Sequence, residues 1–221
     1  MKKKQINQDG WNSCQKQFES MRKKNKDTET KKEIRVIMDA AISGVAERNP
    51  LSVLFRGEIR MAIEKVRKYF EKLGLEDRIK EFDVSSATVD LAAQAVGVEG
   101  ARICKTLSFK NLNGEGCILI QTAGDTKIDN KKFKSCFGFK AKMLTPDEVA
   151  AYTGHEIGGV CAFAIDNPDV QIYCDQSMRR FETVFPACGS DNSAAEFTCD
   201  ELFQYSNALS WIDVSKIPDA E

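Results

Sequence analysis

Lys105 is the residue of this sequence whose setting most strongly suggests chemistry. It lies within ICKTLSF (103–109), a stretch with the apolar character of a mostly buried strand. Burying an ammonium group is costly unless the group is paired or hydrogen-bonded. Because strand side chains alternate between the two faces of a sheet, Lys105 either points to solvent or lies in a pocket where it contacts a ligand. The local sequence leaves both interpretations open.

Two consecutive glycines could bring backbone N–H groups close to a ligand. Gly158 and Gly159 lie between His155 and Val160. Glycine allows a backbone to approach a ligand closely, and N–H groups placed in this way suit an oxyanion or a carboxylate. The alternative is an ordinary turn into a strand, with His155 as a turn or surface residue. We keep His155 as a candidate for substrate contact because it adjoins the glycines.

A loop of small and polar residues is the third candidate. The stretch PACGSDNS (186–193) contains Gly189, Ser190, Asn192 and Ser193. Serine and asparagine side chains either bind a ligand or cap a turn, and the loop read alone does not decide between these roles. Cys188 is a weak candidate nucleophile, because an ionised thiol needs a neighbouring base or cation.

The hydrophobic pattern predicts the elements that must position these residues. Ser85–Thr88 and Thr145-Pro146 offer helix starts, and 111–114 has the composition of a hairpin turn. Neither a regular βαβ alternation nor a dinucleotide-binding glycine motif is present. The pattern therefore predicts an α+β fold with a mixed, curved central β-sheet surrounded by helices. Helices are predicted over 57–73, 89–96, 130–136, 146–153 and 198–205, and strands over 78–82, 103–109, 117–121, 141–144, 160–165, 170–174 and 211–214.

Charge divides the chain into two parts. Residues 1–60 carry 14 Lys and Arg against 8 Asp and Glu, whereas residues 61–221 carry 18 against 25. We interpret 1–60 as a basic, partly helical N-terminal extension with an amphipathic helix over 33–46, and 61–221 as a compact domain. The extension either contacts RNA phosphates or is simply solvated. Whether it is functional or reflects an alternative gene start stays open.

Cysteine usage and hydropathy bear on the compartment and on cofactors. The sequence has eight cysteines and one histidine, and no C-x-x-C pair supports a zinc site. Cysteines in apolar runs behave as small hydrophobic residues. No apolar run is long enough to cross a membrane, and no signal core follows the basic start. We expect a cytoplasmic protein with no metal, no cofactor and no membrane partner.

Together these motifs resemble the YbaK/EbsC family of aminoacyl-tRNA deacylases, which are related to the editing domain of bacterial prolyl-tRNA synthetases. The resemblance extends over about 61–214, and the order and spacing of its motifs make it specific. The motifs are SSATVDLAAQAVGVEGARICKTLSF, AGDTKIDNKKF, KAKMLTPDEV, TGHEIGGVCAF and PACGSDNSA.

The resemblance implies a single pocket and an activity. The activity is hydrolysis of the ester that joins a mischarged amino acid to the 3′ end of tRNA, on a proline tRNA, with aminoacyl-tRNA as the partner and a synthetase as a second partner that presents it. The family's pocket lysine falls on Lys105 and its glycine pair on Gly158 and Gly159. The candidate catalytic residues are Lys105, Gly158, Gly159 and Val160, and the candidate substrate-binding residues are Ser86, Thr88, His155, Gly189, Ser190, Asn192 and Ser193.

Four alanines depart from the pattern of the family. Ala162 and Ala164 stand where the family often has proline and glycine. Ala187 and Ala194 stand near positions that hold a serine and an aspartate in better-studied members. These departures keep open the alternative that the chain is a catalytically inactive binding or regulatory module, and the preferred amino acid stays open with it.

Overall fold

A helix over residues 62–71, α1, opens the part of the chain that the computed structural model describes, residues 62–217. Val66 and Phe70 lie one helical turn apart on its buried face. Gly74 follows with a φ of +67°, a conformation that glycine adopts readily at the end of a helix. The predicted N-terminal extension and its helix lie outside the described residues, so the boundary at 60/61 stays a prediction.

Ten strands follow, and six of them form the central sheet. The sheet order is β8-β6-β2-β3-β5-β9, and the other strands form the pairs β1–β7 and β4–β10. Two neighbouring pairs, β8–β6 and β2–β3, are antiparallel and the other three are parallel within a curled half-barrel, which confirms the predicted mixed, curved sheet. The strands are β1 (Lys80–Glu81), β2 (Ile103–Lys110), β3 (Cys117–Ala123), β4 (Lys127–Ile128), β5 (Val170–Asp175), β6 (Thr183–Pro186), β7 (Ser193–Ala194), β8 (Phe197–Thr198), β9 (Ser210–Ile212) and β10 (Ser215–Lys216).

The hairpin of β2 and β3 forms the centre of the sheet. The two strands pair in antiparallel register from Cys104–Ala123 to Lys110–Cys117. Every residue of β3 is buried, because β2 and β5 flank it and both faces of the sheet are covered. The predicted hairpin is confirmed, and it places Lys105 in the middle of the domain.

Four further helices form where the sequence predicts them, and two of them begin at the predicted caps Thr88 and Thr145. They are α2 (Val89–Val96), α3 (Asn130–Phe137), α4 (Pro146–Thr153) and α5 (Cys199–Tyr205). The Thr88 side chain accepts a hydrogen bond from the Leu91 N–H at the start of α2. At α4, Thr145 and Glu148 form a reciprocal capping box, which satisfies two N–H groups that the helix itself cannot.

The strand predicted over 160–165 is wrong. This segment is irregular, although Cys161, Phe163 and Ala164 are buried in one core cluster. Ala164 has a φ of +55°, which interrupts an extended path. The Phe163 carbonyl accepts a hydrogen bond from the ring of His155 instead of from a neighbouring strand. An apolar run is thus buried here without a β-ladder.

Three other predicted strands are shorter than expected. Within 78–82 only β1 is extended, and it follows a 3₁₀ helix over Glu76–Arg78. Within 141–144 only an isolated bridge between Met143 and Phe109 forms. The last predicted strand, 211–214, begins one residue earlier and ends at Ile212, as β9.

His155 is part of the core. Its side chain is fully buried, and its Nε2 lies 3.1 Å from the Phe163 carbonyl oxygen and 3.6 Å from the Cys161 Sγ. Its Nδ1 is buried and has no hydrogen-bond partner among residues 62–217. Burial lowers the pKa of His155 to about 4, and the hydrogen bond to the Phe163 carbonyl partly opposes this shift.

We therefore predict that the domain loses stability as the pH falls from 7 to 5. The pKa of an unfolded histidine is about 6.5, so between the two pKa values the unfolded chain binds a proton that folded His155 does not. The free energy of unfolding should fall by about 2 kcal/mol over this range. Urea denaturation at each pH measures it.

His155→Gln is the matched control, because glutamine can keep a donor to the Phe163 carbonyl and does not titrate. The variant should show a flatter pH dependence between pH 5 and pH 7. Equal pH dependence in wild type and variant would refute the role given to His155.

Candidate functional site

A cavity of about 270 Å³ opens beside β2. Its walls come from β2, β7, the start of α2 and the segments around Met143 and Gly158. Among the residues predicted from the sequence, the cavity is lined by Ser86, Thr88, Lys105, Gly158, Val160 and Ser193. The other predicted residues, Gly159, His155, Gly189, Ser190 and Asn192, lie behind this wall.

Lys105 lines this cavity, and backbone carbonyls hold its ammonium group. Its Nζ donates hydrogen bonds to the carbonyl oxygens of Gly124, at 3.0 Å, and Thr126. Burial lowers the pKa of the Lys105 amine, and the nearby carboxylate of Asp125 opposes this effect. An ammonium group has three donors, so two held by carbonyls leave one for a ligand.

The turn that holds Lys105 is itself fixed. A Cβ on Gly124 would lie 2.1 Å from the Gly100 carbonyl oxygen, so only glycine fits this close approach. Asp125 forms a bidentate ion pair with Arg180, with N–O distances of 2.6 and 2.9 Å. The Thr126 hydroxyl is buried and bonds within the same turn. The two carbonyl acceptors of Lys105 therefore have little freedom to move.

One edge of β2 is open where it faces the cavity. The parallel ladder with β6 ends at Cys104, and the next partner on this edge is Leu144, whose N–H donates to the Ser108 carbonyl at 3.0 Å. Alternate residues of a strand direct their N–H and C=O groups to the same edge. Thr106 therefore directs both groups toward the cavity, and among residues 62–217 neither has a strand partner there.

The glycine pair forms a second wall. Gly158 has a φ of +98°, and a Cβ on Gly159 would lie 2.8 Å from the backbone of Ser190. The Gly159 N–H is already used, because it donates to the Glu156 carbonyl at 3.0 Å. The N–H groups of Gly158 and Val160 have no backbone partner among the described residues, so they are the donors that this segment can offer.

The polar loop supports the wall through its own hydrogen bonds. Asn192 donates to the Phe82 carbonyl at 2.9 Å, and Ser190 donates to the Ser193 hydroxyl at 2.7 Å. The Ser86 hydroxyl donates to the Asp191 carbonyl at 3.1 Å. Ser193 lies at the cavity, whereas Ser190 and Asn192 hold the loop in shape.

The remaining wall is apolar, and the sequence did not identify it. Apolar runs look alike whether they face a core or a cavity, so no local signal marked these residues. Ala187 and Ala194, two of the alanines that depart from the family pattern, pair with each other and line the cavity. The apolar lining also includes Val89, Ala92, Leu107, Leu144, Val149, Ile157 and Phe185.

The described wall of the cavity carries a positive charge and no negative charge. Lys105 is a cationic group in its wall, and no carboxylate of residues 62–217 lines it. Within the same residues no cluster of His, Cys, Asp and Glu could hold a metal ion. Burial raises the pKa of the Cys104 and Cys188 thiols well above the ordinary value, which disfavours either as a nucleophile.

Known proteins resemble the chain over this region. Residues 84–205, more than half of the chain, match the family described as the aminoacyl-tRNA editing domain. The uncharacterized protein YwhH of Bacillus subtilis (strain 168) is 53% identical over 156 residues, which cover 71% of this chain and 98% of that protein.

Two solved structures share the fold. One is titled "a putative trans-editing enzyme for prolyl tRNA synthetase"; it has a TM-score of 0.63 and 28% identity, covering 70% of this chain and 97% of that one. The hypothetical protein APE2540 has a TM-score of 0.61 and 28% identity, covering 69% and 99%. No helix within residues 62–217 is long and apolar enough to cross a membrane. These matches place the chain in the aminoacyl-tRNA editing domain family.

Proposed function

We propose that this chain hydrolyses the ester of a mischarged aminoacyl-tRNA, and that its substrate is a proline tRNA carrying the wrong amino acid. One observation carries the proposal. Lys105, held by two carbonyls, lines a mostly apolar cavity together with Gly158 and Val160, whose N–H groups have no backbone partner among the described residues. The proline tRNA is supported by likeness to the solved structure of "a putative trans-editing enzyme for prolyl tRNA synthetase".

Lys105 serves as an anchor for the 3′ end of the tRNA. Its third N–H meets a phosphate or ribose oxygen of the terminal nucleotide, which fixes the ester in the cavity. A carbonyl pair holds the ammonium without neutralising it, so its charge remains available to a phosphate. Asp125 lies close enough to favour the protonated amine without entering the cavity lining.

Water is the nucleophile in this mechanism. The thiols of Cys104 and Cys188 resist ionisation, and the only histidine of the chain lies in the core. Water attacks the ester carbonyl, and the N–H groups of Gly158 and Val160 stabilise the negative charge on its oxygen. One such donor is worth about 3–4 kcal/mol of the barrier. The bond to the ribose oxygen then breaks, this oxygen takes up one proton of the water, and the amino acid leaves as a carboxylate with the other proton released to solvent. Positioning and charge stabilisation then suffice for an already activated ester.

The cavity favours a small, uncharged aminoacyl group. Its walls are mostly apolar, and its volume of about 270 Å³ must also hold the end of the tRNA, which leaves room for only a small side chain. The open carbonyl of Thr106 offers an acceptor for the α-amino group, which otherwise meets no carboxylate in the described lining. Alanine and cysteine fit this description.

The proposal also includes how the tRNA reaches the domain and in which compartment the protein acts. A synthetase that presents the tRNA, or the basic segment 1–60, adds affinity to a domain of acidic balance. The seven cysteines within residues 62–217 are free thiols, which fits a reducing cytoplasm.

Lys105→Ala should lower kcat/KM for deacylation by about 10- to 100-fold, the loss expected for one charge-assisted hydrogen bond. Lys68→Ala removes an exposed lysine outside the cavity and should match wild type. Deacylation of radiolabelled aminoacyl-tRNA measures both variants, and thermal unfolding checks their fold. A Lys105→Ala variant that is folded and fully active would contradict the anchor.

Gly159→Ala should lower kcat by about tenfold or more, because its Cβ would displace either the oxyanion donors or the 189–193 loop. Gly114→Ala is the control, since its Cβ would meet one atom, Asn111 Nδ2, at 3.8 Å. Single-turnover kinetics separates the chemical step from binding. Wild-type kcat in folded Gly159→Ala would show that the segment does not position the ester.

A panel of charged tRNAs tests the substrate. Proline tRNA carrying alanine or cysteine should be deacylated, and each rate should depend on Lys105. Alanine on its own tRNA tests whether the tRNA is recognised, and prolyl-tRNA tests whether the correct product is spared. No turnover on any of them would favour the binding or regulatory module that the four alanines keep open.

A further inference from the structure

Residues 127–142 are a strongly basic stretch within an acidic domain. They contain six lysines and one acid, Asp129, a net charge of +5, whereas 61–221 as a whole carries 18 basic and 25 acidic residues, a net of −7. All six lysines are exposed. Lys132 pairs with Asp213 at 2.7 Å, and within residues 62–217 the other five have no carboxylate at ion-pair distance. The lysines are 127, 131, 132, 134, 140 and 142.

Local energetics disfavours lysine at several of these positions. Lys127 lies directly opposite Lys216 in the β4–β10 pair, where like charges repel. Lys131 and Lys132 lie in the first turn of α3, where the helix dipole favours acids. By contrast, α4 and α5 each carry two acids in their first turn. Apart from Lys132, which is paired with Asp213, local contacts of the described residues therefore do not account for this clustering.

The basic stretch adjoins the cavity at both of its ends. Thr126, immediately before it, gives its carbonyl to Lys105. Met143, immediately after it, lines the cavity and is 59% exposed. Between these ends, α3 packs on the face of the hairpin through Phe133, whose ring centroid lies 5.0 Å from that of Phe109. The lysine-rich segment thus begins beside the carbonyl that holds Lys105 and ends at Met143 in the cavity wall.

We propose that this surface, residues 127–142 together with Lys216, binds the phosphates of the acceptor stem of the tRNA whose 3′ end enters the cavity. The inference rests on the proposed function. A tRNA end anchored at Lys105 brings a polyanionic duplex to the rim of the cavity. Lysine ammonium groups bind phosphates as point charges and do not read sequence. The surface therefore supplies affinity for any acceptor stem, and the cavity supplies the selection.

Binding of an uncharged RNA minihelix with a CCA end tests this surface without requiring hydrolysis. The full chain is titrated by fluorescence anisotropy over a salt series. Two double variants remove charge near each end: Lys127→Gln with Lys131→Gln, and Lys140→Gln with Lys142→Gln. A third, Lys68→Gln with Lys72→Gln, makes the same charge change at exposed lysines outside the cavity lining.

Each variant of the surface should weaken binding and reduce the slope of log K against log salt by about 1 to 2, because each lost phosphate contact removes about 0.9. The control should keep the wild-type slope. Slopes equal to the control in both surface variants would overturn the inference, even if deacylation is observed. Binding that depends on the surface, with no deacylation of any charged tRNA, would support it while refuting the proposed hydrolysis.

Discussion

A half-buried ammonium group held by backbone carbonyls is the interaction on which the site depends. Within residues 62–217, the Lys105 Nζ contacts the carbonyl oxygens of Gly124 and Thr126 and no carboxylate. These neutral acceptors offset the loss of water around the ammonium, and they leave its charge uncompensated within the cavity. A direct carboxylate partner would reduce the attraction to a phosphate. The surrounding turn must therefore be rigid, and the pair of Asp125 with Arg180 holds it from outside.

Close backbone contacts complete this arrangement. The Gly124 Cα lies against the Gly100 carbonyl, and the Gly159 Cα lies against the backbone of Ser190. Both contacts exclude any side chain, so the absence of a Cβ fixes the turn that holds Lys105 and the segment that contains Gly158. Hydrogen bonds from Ser86 and Asn192 then connect the polar loop to the chain before α2. Residues behind the cavity wall thus determine where its groups point.

The helices and the central hairpin could be predicted because their signals are local. Thr145-Pro146 begins α4 and Gly97 ends α2, as capping rules require. The segment 160–165 was mispredicted because a continuous apolar run does not distinguish a strand from a buried irregular segment. Strand β6 was not predicted, since it has four residues and ends in proline. Tertiary contacts decide such segments.

The site could be predicted only in part, because tertiary contacts also decide which side chains reach the cavity. Motif order placed Lys105, Gly158 and Ser193 together, and all three line the cavity. His155 is close to Gly158 in sequence, yet its ring turns into the core because the Phe163 carbonyl is there to accept its hydrogen bond.

The open edge at Thr106 exists because β6 stops pairing at Cys104, which no local pattern reveals. The net charge of the domain does not predict its basic surface either. Acids lie in the first turns of α4 and α5, whereas the lysines of residues 127–142 lie together in one segment next to the cavity. An acidic domain can therefore present a cationic surface where an anionic substrate must enter.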